Sequence, residues 1–292
     1  MKTSSKPVLA LILFFVCLSI GYSQQPPPAM SVEKLADNIY MVKGGSGANT
    51  GFFVGQKGVL AIDAKMTTDA ATQMIEEIKK VTPKPIITMV ITHSDGDHVN
   101  GLAGFPLGMK IIAHPQTKKD MEEAFKSPGL EALRAYLPDT TFSDKMDLKM
   151  GRELIQMLFV CPAHTSGDIV VFFPEEKIAF VGDLVFIGRD PLIHRQKGGT
   201  SLGLVKYLKV LLELKADRYV PGHGDVVLKS DIATLMKNIE EKQARIKALI
   251  QEGKSLDEVK KSFGIEERPA APGACRFMSL VEVIYLDLKE VK

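Results

Sequence analysis

The sequence predicts an α/β layered domain, and three observations carry that prediction. Apolar segments of strand length alternate with segments of helical period along most of the chain. One segment, residues 86–92, is almost continuously apolar, as a strand covered on both faces must be. Acidic and histidine residues follow directly on several apolar strands, where α/β folds gather their ligands. The chain has 292 residues, 45% hydrophobic and 25% charged, enough for one large core.

Taken in order, residues 1–23 read as a secretory signal. Lys2 and Lys6 form a basic start, Val8 to Ile20 is apolar, and Gly21-Tyr22-Ser23 suits cleavage before Gln24. The apolar run is too short for the roughly 20 residues that span a bilayer, so an exported protein without a membrane span is expected, periplasmic or secreted. Both excess positive charges lie in this segment, and the remainder is neutral. That balance argues against nucleic acid as a partner and leaves a small-molecule substrate. Cleavage removes Cys17 and leaves Cys161 and Cys275, free to pair or not, in a chain large enough to fold without a disulfide.

Residues 24–30 form a proline-rich linker, and residues 31–292 read as one domain. Strands are expected at 39–42, 51–54 and 59–63, with Gln56-Lys57-Gly58 as the turn between the last two. Ala70, Met74, Ile78 and Val81 give 67–81 one apolar helical face. After the strand at 86–92 come strands at 110–113, 154–160, 168–173, 178–181 and 218–220. Helices are expected at 116–126, 201–214 and 231–252.

The chemistry concentrates at the strand ends. Thr92-His93-Ser94-Asp95-Gly96-Asp97-His98 places four potential metal ligands within six residues, on a loop that Gly96 tightens. A polar turn would account for Asp95 and Gly96, but not for two histidines framing them. His164, Asp183 after Gly182, and His223 in Pro221-Gly222-His223-Gly224 each follow another apolar strand.

These residues resemble the His-x-His-x-Asp-His pattern of the metallo-beta-lactamase superfamily, with His164, Asp183 and His223 at its later ligand positions in the same order. The similarity runs from about residue 31 to 228. It implies a four-layer αββα sandwich with the site at one edge between two sheets. It also implies two divalent ions, the first on His93, Asp95 and His164, the second on Asp97, His98 and His223, with Asp183 bridging. Zinc is the expected metal, with iron or manganese as alternatives, and a bridging hydroxide oriented by Asp97 would open or cleave a carbonyl substrate. A beta-lactam is the expected class, with lactones and thioesters as alternatives. One position departs from the pattern: Asp95 stands where the family has its second histidine. A carboxylate favours oxygen-loving metals more than imidazole does, and flavo-diiron proteins of the superfamily carry glutamate there.

His194, Arg195 and Lys197, in the segment after Asp183, are candidates to bind a substrate carboxylate, although a solvated basic loop would look the same. His114 fits no ligand position and reads as structural. Two other reaction classes compete with the metallo-hydrolase. Gly199-Thr200-Ser201-Leu202-Gly203 matches G-x-S-x-G, with Asp217 and His223 following, but no strand precedes it and Ser201 reads more simply as a helix N-cap. A di-iron oxidoreductase is suggested by Asp95, but no flavin domain or dinucleotide fingerprint accompanies it.

Overall fold

The computed structural model describes residues 29–265 and 277–290. The expected signal segment, most of the proline-rich linker and Cys275 lie outside them. Two mixed sheets form the centre. The first takes β1 (Ser31–Lys34), β2 (Ile39–Lys43), β3 (Thr50–Val54), β4 (Val59–Ile62), β5 (Ile86–Val90), β6 (Lys110–Ala113) and β7 (Thr140–Thr141) in sequence order. Its strands are antiparallel up to β4 and parallel from β4 onward. The second runs β12 (Arg218–Pro221), β11 (Ile178–Gly182), β10 (Val170–Phe173), β9 (Glu153–Leu158), β8 (Lys145–Met150), with only β11 and β12 parallel.

Parallel neighbours require a crossover, and helices supply it. The helix α1 (Thr68–Val81) links β4 to β5 and begins on Thr67, whose side chain accepts from the Ala70 amide. The short α2 (Gly96–Val99) and α3 (Pro115–Ala124) follow β5 and β6. Beyond them, α4 (Ser201–Glu213) links β11 to β12, and α5 (Lys229–Gln251), α6 (Leu256–Ser262) and α7 (Leu280–Glu290) are the last elements among the described residues. Thr200, not Ser201, caps α4: its side chain accepts from the Leu202 amide.

Three apolar interfaces stack these elements into four layers. Phe53, Leu60, Ile62 and Val90 of the first sheet meet Met157, Val171, Phe173 and Phe180 of the second in the middle. Ala71, Met74 and Ile78 of α1 and Met121 of α3 cover the outer face of the first sheet. Leu204, Leu208 and Leu211 of α4, Ile232 and Ile239 of α5, and Val281 and Ile284 of α7 cover the second. The αββα sandwich implied by the sequence resemblance is the observed architecture.

Behind β4 the backbone is held in an unusual shape, with positive φ at Asp63 (59°) and Lys65 (67°). Lys65 is fully buried, and its Nζ donates to the carbonyls of Val42 (3.2 Å), Gly44 (2.8 Å) and Ala48 (2.8 Å). One ammonium thereby fixes the loop 44–49. That loop reaches the ligand-bearing segments through Ala48 N–H to Asp97 O (3.2 Å) and Asn49 N–H to Gly222 O (2.7 Å). Lys65→Met keeps the length of the side chain but strips three buried carbonyls of their donor. A loss of about 3 kcal/mol in unfolding free energy is expected by denaturant titration, and a change under about 0.5 kcal/mol would contradict this role for Lys65.

Candidate metal centre

Each ligand-type residue stands where a strand gives out. β5 stops at Val90, two residues earlier than its apolar run suggests, because Thr92 turns to a different partner: its amide and hydroxyl donate to Asp63 Oδ1 (2.8 Å) and Oδ2 (2.7 Å). His93 follows, Asp95 stands at the N-cap of α2, and Asp97 and His98 lie within that short helix. His164 lies between β9 and β10, on a turn whose Thr165 amide and hydroxyl bind Asp168 at 2.8 and 2.7 Å. Asp183 follows Gly182, whose φ of +51° favours glycine, and His223 follows β12.

The seven residues converge. His98 Nε2 is 3.3 Å from Asp183 Oδ1, and His223 Nε2 is 3.4 Å from Asp183 Oδ2 and 3.1 Å from Asp97 Oδ2. His164 Nε2 is 3.1 Å from Asp95 Oδ2 and 3.9 Å from Asp183 Oδ2. Ligand atoms of His93, His164 and Asp183 lie within 4.8 Å of one another, as do those of Asp97, His98 and His223. Asp183 therefore stands between two groups, one on each side.

Three rings are anchored through Nδ1 and present Nε2 to the cluster. His98 Nδ1 is 2.8 Å from Asp63 Oδ2, His164 Nδ1 is 2.7 Å from Leu192 O, and His93 Nδ1 is 3.1 Å from Thr92 Oγ1. This outer bonding fixes tautomer and orientation, as around bound metals. Asp63 was not singled out in the sequence, although it too is an aspartate ending an apolar strand. That signal would have found it.

The donor set fits a metal. Among the described residues, the buried side-chain nitrogen and oxygen atoms without a hydrogen-bond partner are His93 Nε2, His98 Nε2, Asp183 Oδ1 and His194 Nε2. All four belong to this cluster, where a cation would satisfy them. The charges agree. Burial alone would raise Asp183, but His98 and His223 hold its carboxyl well below the usual range. Burial likewise opposes the charge of Asp95, and His164, His194 and His93 outweigh it. His164 is lowered by burial but lifted to about 9 by Asp95 and Asp183, and bonds to Asp183 and Asp97 raise His223 to about 9.

These shifts set a sign. Without metal, both imidazoles hold their protons in the fold above 6.5, where the unfolded chain has lost them. Their contribution to stability is complete below pH 6.5 and declines towards 9. The metal-free protein should therefore melt at a lower temperature at pH 8 than at pH 6.5. A rise over that interval would contradict the assignment. Above about 8 the buried Lys65, lowered to that value by desolvation, acts in the opposite sense.

The remaining candidates separate. His194 is buried with Nε2 2.8 Å from Asp95 Oδ2, and Lys197 Nζ is 2.7 Å from Asp95 Oδ1. Arg195, two residues away, directs its guanidinium to Asp287 and Glu290 of α7 instead. Among the described residues, the G-x-S-x-G serine meets neither the histidine nor the aspartate that follow it in sequence. Ser201 Oγ donates to Asp287 Oδ2 at 2.7 Å, His223 faces Asp97 and Asp183, and Asp217 pairs with Lys177. His114 caps α3 and stacks on Phe159 at 3.9 Å.

An αββα sandwich with histidines and aspartates gathered where its strands end defines a class of metal-dependent hydrolases. Residues 44–223 match the family model of the metallo-beta-lactamase superfamily, and the chain belongs to that superfamily. It is 28% identical over 187 residues to "Metallo-beta-lactamase type 2" of Elizabethkingia meningoseptica, covering 61% of this chain and 72% of that protein. It is 26% identical over 205 residues to the "2,4-dinitroanisole O-demethylase subunit alpha" of Nocardioides sp. (strain JS1661), covering 70% of this chain and 60% of the relative's length. A solved metallo-beta-lactamase from Pontibacter korlensis superposes with a TM-score of 0.61 at 20% identity, over 72% of this chain and all of the other, which shows the shared fold.

Proposed function

We propose that the protein is a dinuclear zinc hydrolase of carbonyl substrates, with beta-lactams as the substrate class. The observation behind this reading is the set of buried, unpartnered donor atoms converging from both sheets onto Asp183. His93, Asp95 and His164 would hold one ion, Asp97, His98 and His223 the other, and Asp183 both. When bound, such ions bring a water's pKa near neutrality and polarise a carbonyl oxygen.

The chain's own residues supply the rest. Asp97 Oδ2 faces the open side of the cluster beside His223, placed to take the proton from an attacking water and hold it for the leaving group. Lys197 fixes Asp95 and also reaches Ser94 O and Oγ at 3.2 Å each, locking the loop that carries the first ligands. The buried Phe186 ring lies nearly parallel to His223 (14°, centroids 5.9 Å apart) and excludes water from that side. Beyond it lies a cavity of about 670 Å³ lined by Arg189, Lys242 and Arg245 and equally by Asp190, Asp231 and Glu241, with Lys242 paired to Asp190, so its charge is balanced. Two of the family relatives bear beta-lactamase names, which favours the lactam over the lactone or thioester.

The test is elemental analysis of the protein expressed with zinc, followed by a lactam, lactone and thioester panel. About two zinc ions per chain with lactam hydrolysis supports the reading. Lactone or thioester cleavage alone would move the substrate class, mostly iron would favour redox chemistry, and no metal would overturn the proposal. Export after cleavage before Gln24 belongs to the same reading. N-terminal sequencing of protein recovered outside the cytoplasm tests it.

A further inference from the structure

Asp95 leaves the first ion one imidazole short of the family pattern, and the structure brings another imidazole to it. His194 comes from the segment after Asp183, far from Asp95 in sequence, yet its ring is buried and 4.9 Å from that of His164. Ligand atoms of Asp95, His164 and His194 lie within 4.8 Å of one another. The backbone fixes this placement: His194 N–H donates to His164 O at 2.8 Å, and Gly199 N–H returns to His194 O at 3.0 Å. Gly199 itself tolerates no side chain, since a Cβ there would stand 2.2 Å from His164 O.

The contact between His194 and Asp95 is not an ordinary hydrogen bond. Nε2 is 2.8 Å from Asp95 Oδ2, yet it has no hydrogen-bond partner. Two ligand atoms this close, with Nε2 outside hydrogen-bond geometry, could share one ion. On the far side of the ring, Nδ1 is 2.9 Å from the Gln196 amide nitrogen, and a flip of that amide exchanges nitrogen for oxygen. With that amide turned to present its oxygen, Nδ1–H donates and Nε2 offers its lone pair inward.

Lys197 addresses the other half of the substitution. A carboxylate adds a negative charge and a second oxygen that imidazole lacks. Lys197 Nζ takes Oδ1 at 2.7 Å and balances the charge, leaving Oδ2 as a single inward donor towards His164 and His194. We propose that His194 is a metal ligand through Nε2, and that with the lysine-clamped Asp95 it rebuilds a nitrogen-rich first site. Its donors are then nearer to those zinc favours than the aspartate alone suggests. This rests on the metal-centre reading above and adds a residue to it.

The experiment is a zinc titration of the ¹⁵N-labelled protein, following its histidine rings by long-range ¹H–¹⁵N correlation. The chain has six histidines. The proposal expects the rings of His93, His98, His164, His194 and His223 to move to the metal-bound nitrogen shift, with His114 alone unchanged. His194→Gln removes one of the moving signals and identifies it. In that variant one zinc ion should bind at least ~100-fold more weakly, since loss of an outer-shell partner alone costs 10–100-fold. If the other four rings shift and His194 does not, the inference falls while the metal centre stands. If no ring shifts, both fall.

Discussion

Asp183→Asn should lower hydrolytic turnover by at least ~100-fold and leave the protein with less bound zinc, while the fold remains intact. The carboxylate faces both halves of the centre: Oδ1 lies 3.3 Å from His98 Nε2, and Oδ2 lies 3.4 Å from His223 Nε2 and 3.9 Å from His164 Nε2. Asparagine preserves its outline but withdraws one charge and turns one acceptor into a donor. An NH₂ facing these imidazoles or a cation repels where the oxygen attracted. Elemental analysis and turnover on one preparation check this together. Wild-type zinc content with wild-type turnover would remove Asp183 from the centre.

Gly222→Ala should be nearly as damaging, although residue 222 itself offers no ligand atom. A Cβ on residue 222 would stand 2.0 Å from Asp183 Oδ1 and 2.8 Å from His98 Cε1. The backbone cannot easily retreat, because Gly222 N–H is held by Gly182 O at 2.8 Å and its carbonyl by Asn49 N–H at 2.7 Å. The methyl must push the carboxylate aside. A displacement of about 1 Å in such a site costs on the order of 100-fold in rate. The variant should keep every charged and coordinating side chain yet lose turnover and metal affinity together, measured by kinetics and by zinc competition with a chelator. An alanine variant with unchanged zinc affinity would show that the loops carrying residues 183 and 222 can part far enough to admit a methyl.

Much of this centre is legible in the chain because its ligands follow strands whose apolar runs announce them. Ile86 to Ile91 is apolar but for Thr88, and His93 lies just past it; the same reasoning reaches Asp183 and His223. What stayed hidden depends on three-dimensional return. His194 sits in a polar segment with no period, and only the bonds from residues 164 and 199 show where its ring goes. Arg195 looked equivalent to its neighbours, but α7 claims it, and α7 was not foreseen. Its sequence, rich in β-branched residues, has Val281, Val283 and Tyr285 in strand-like alternation, and packing against α4 and α5 makes it a helix. In β8 Met146, Leu148 and Met150 alternate inward, but Lys145, Asp147 and Lys149 between them are poor strand formers and mask the pattern.

The centre also draws from both sheets. Asp95 to His98 leave the end of β5 in the first, while His164, Asp183 and His223 come from the second. Between them the middle of the sandwich is packed with apolar side chains, and directional bonds such as Asn49 N–H to Gly222 O and Ile169 N–H to Thr92 O join the halves at the edge. A cation bound here would act as a removable rivet joining residue 95 to residue 164 and residue 98 to residue 183, closing long loops of chain at a single point. Chelation would then do more than silence the enzyme: it would free one edge of the sandwich, and protease attack should begin where the rivet was drawn.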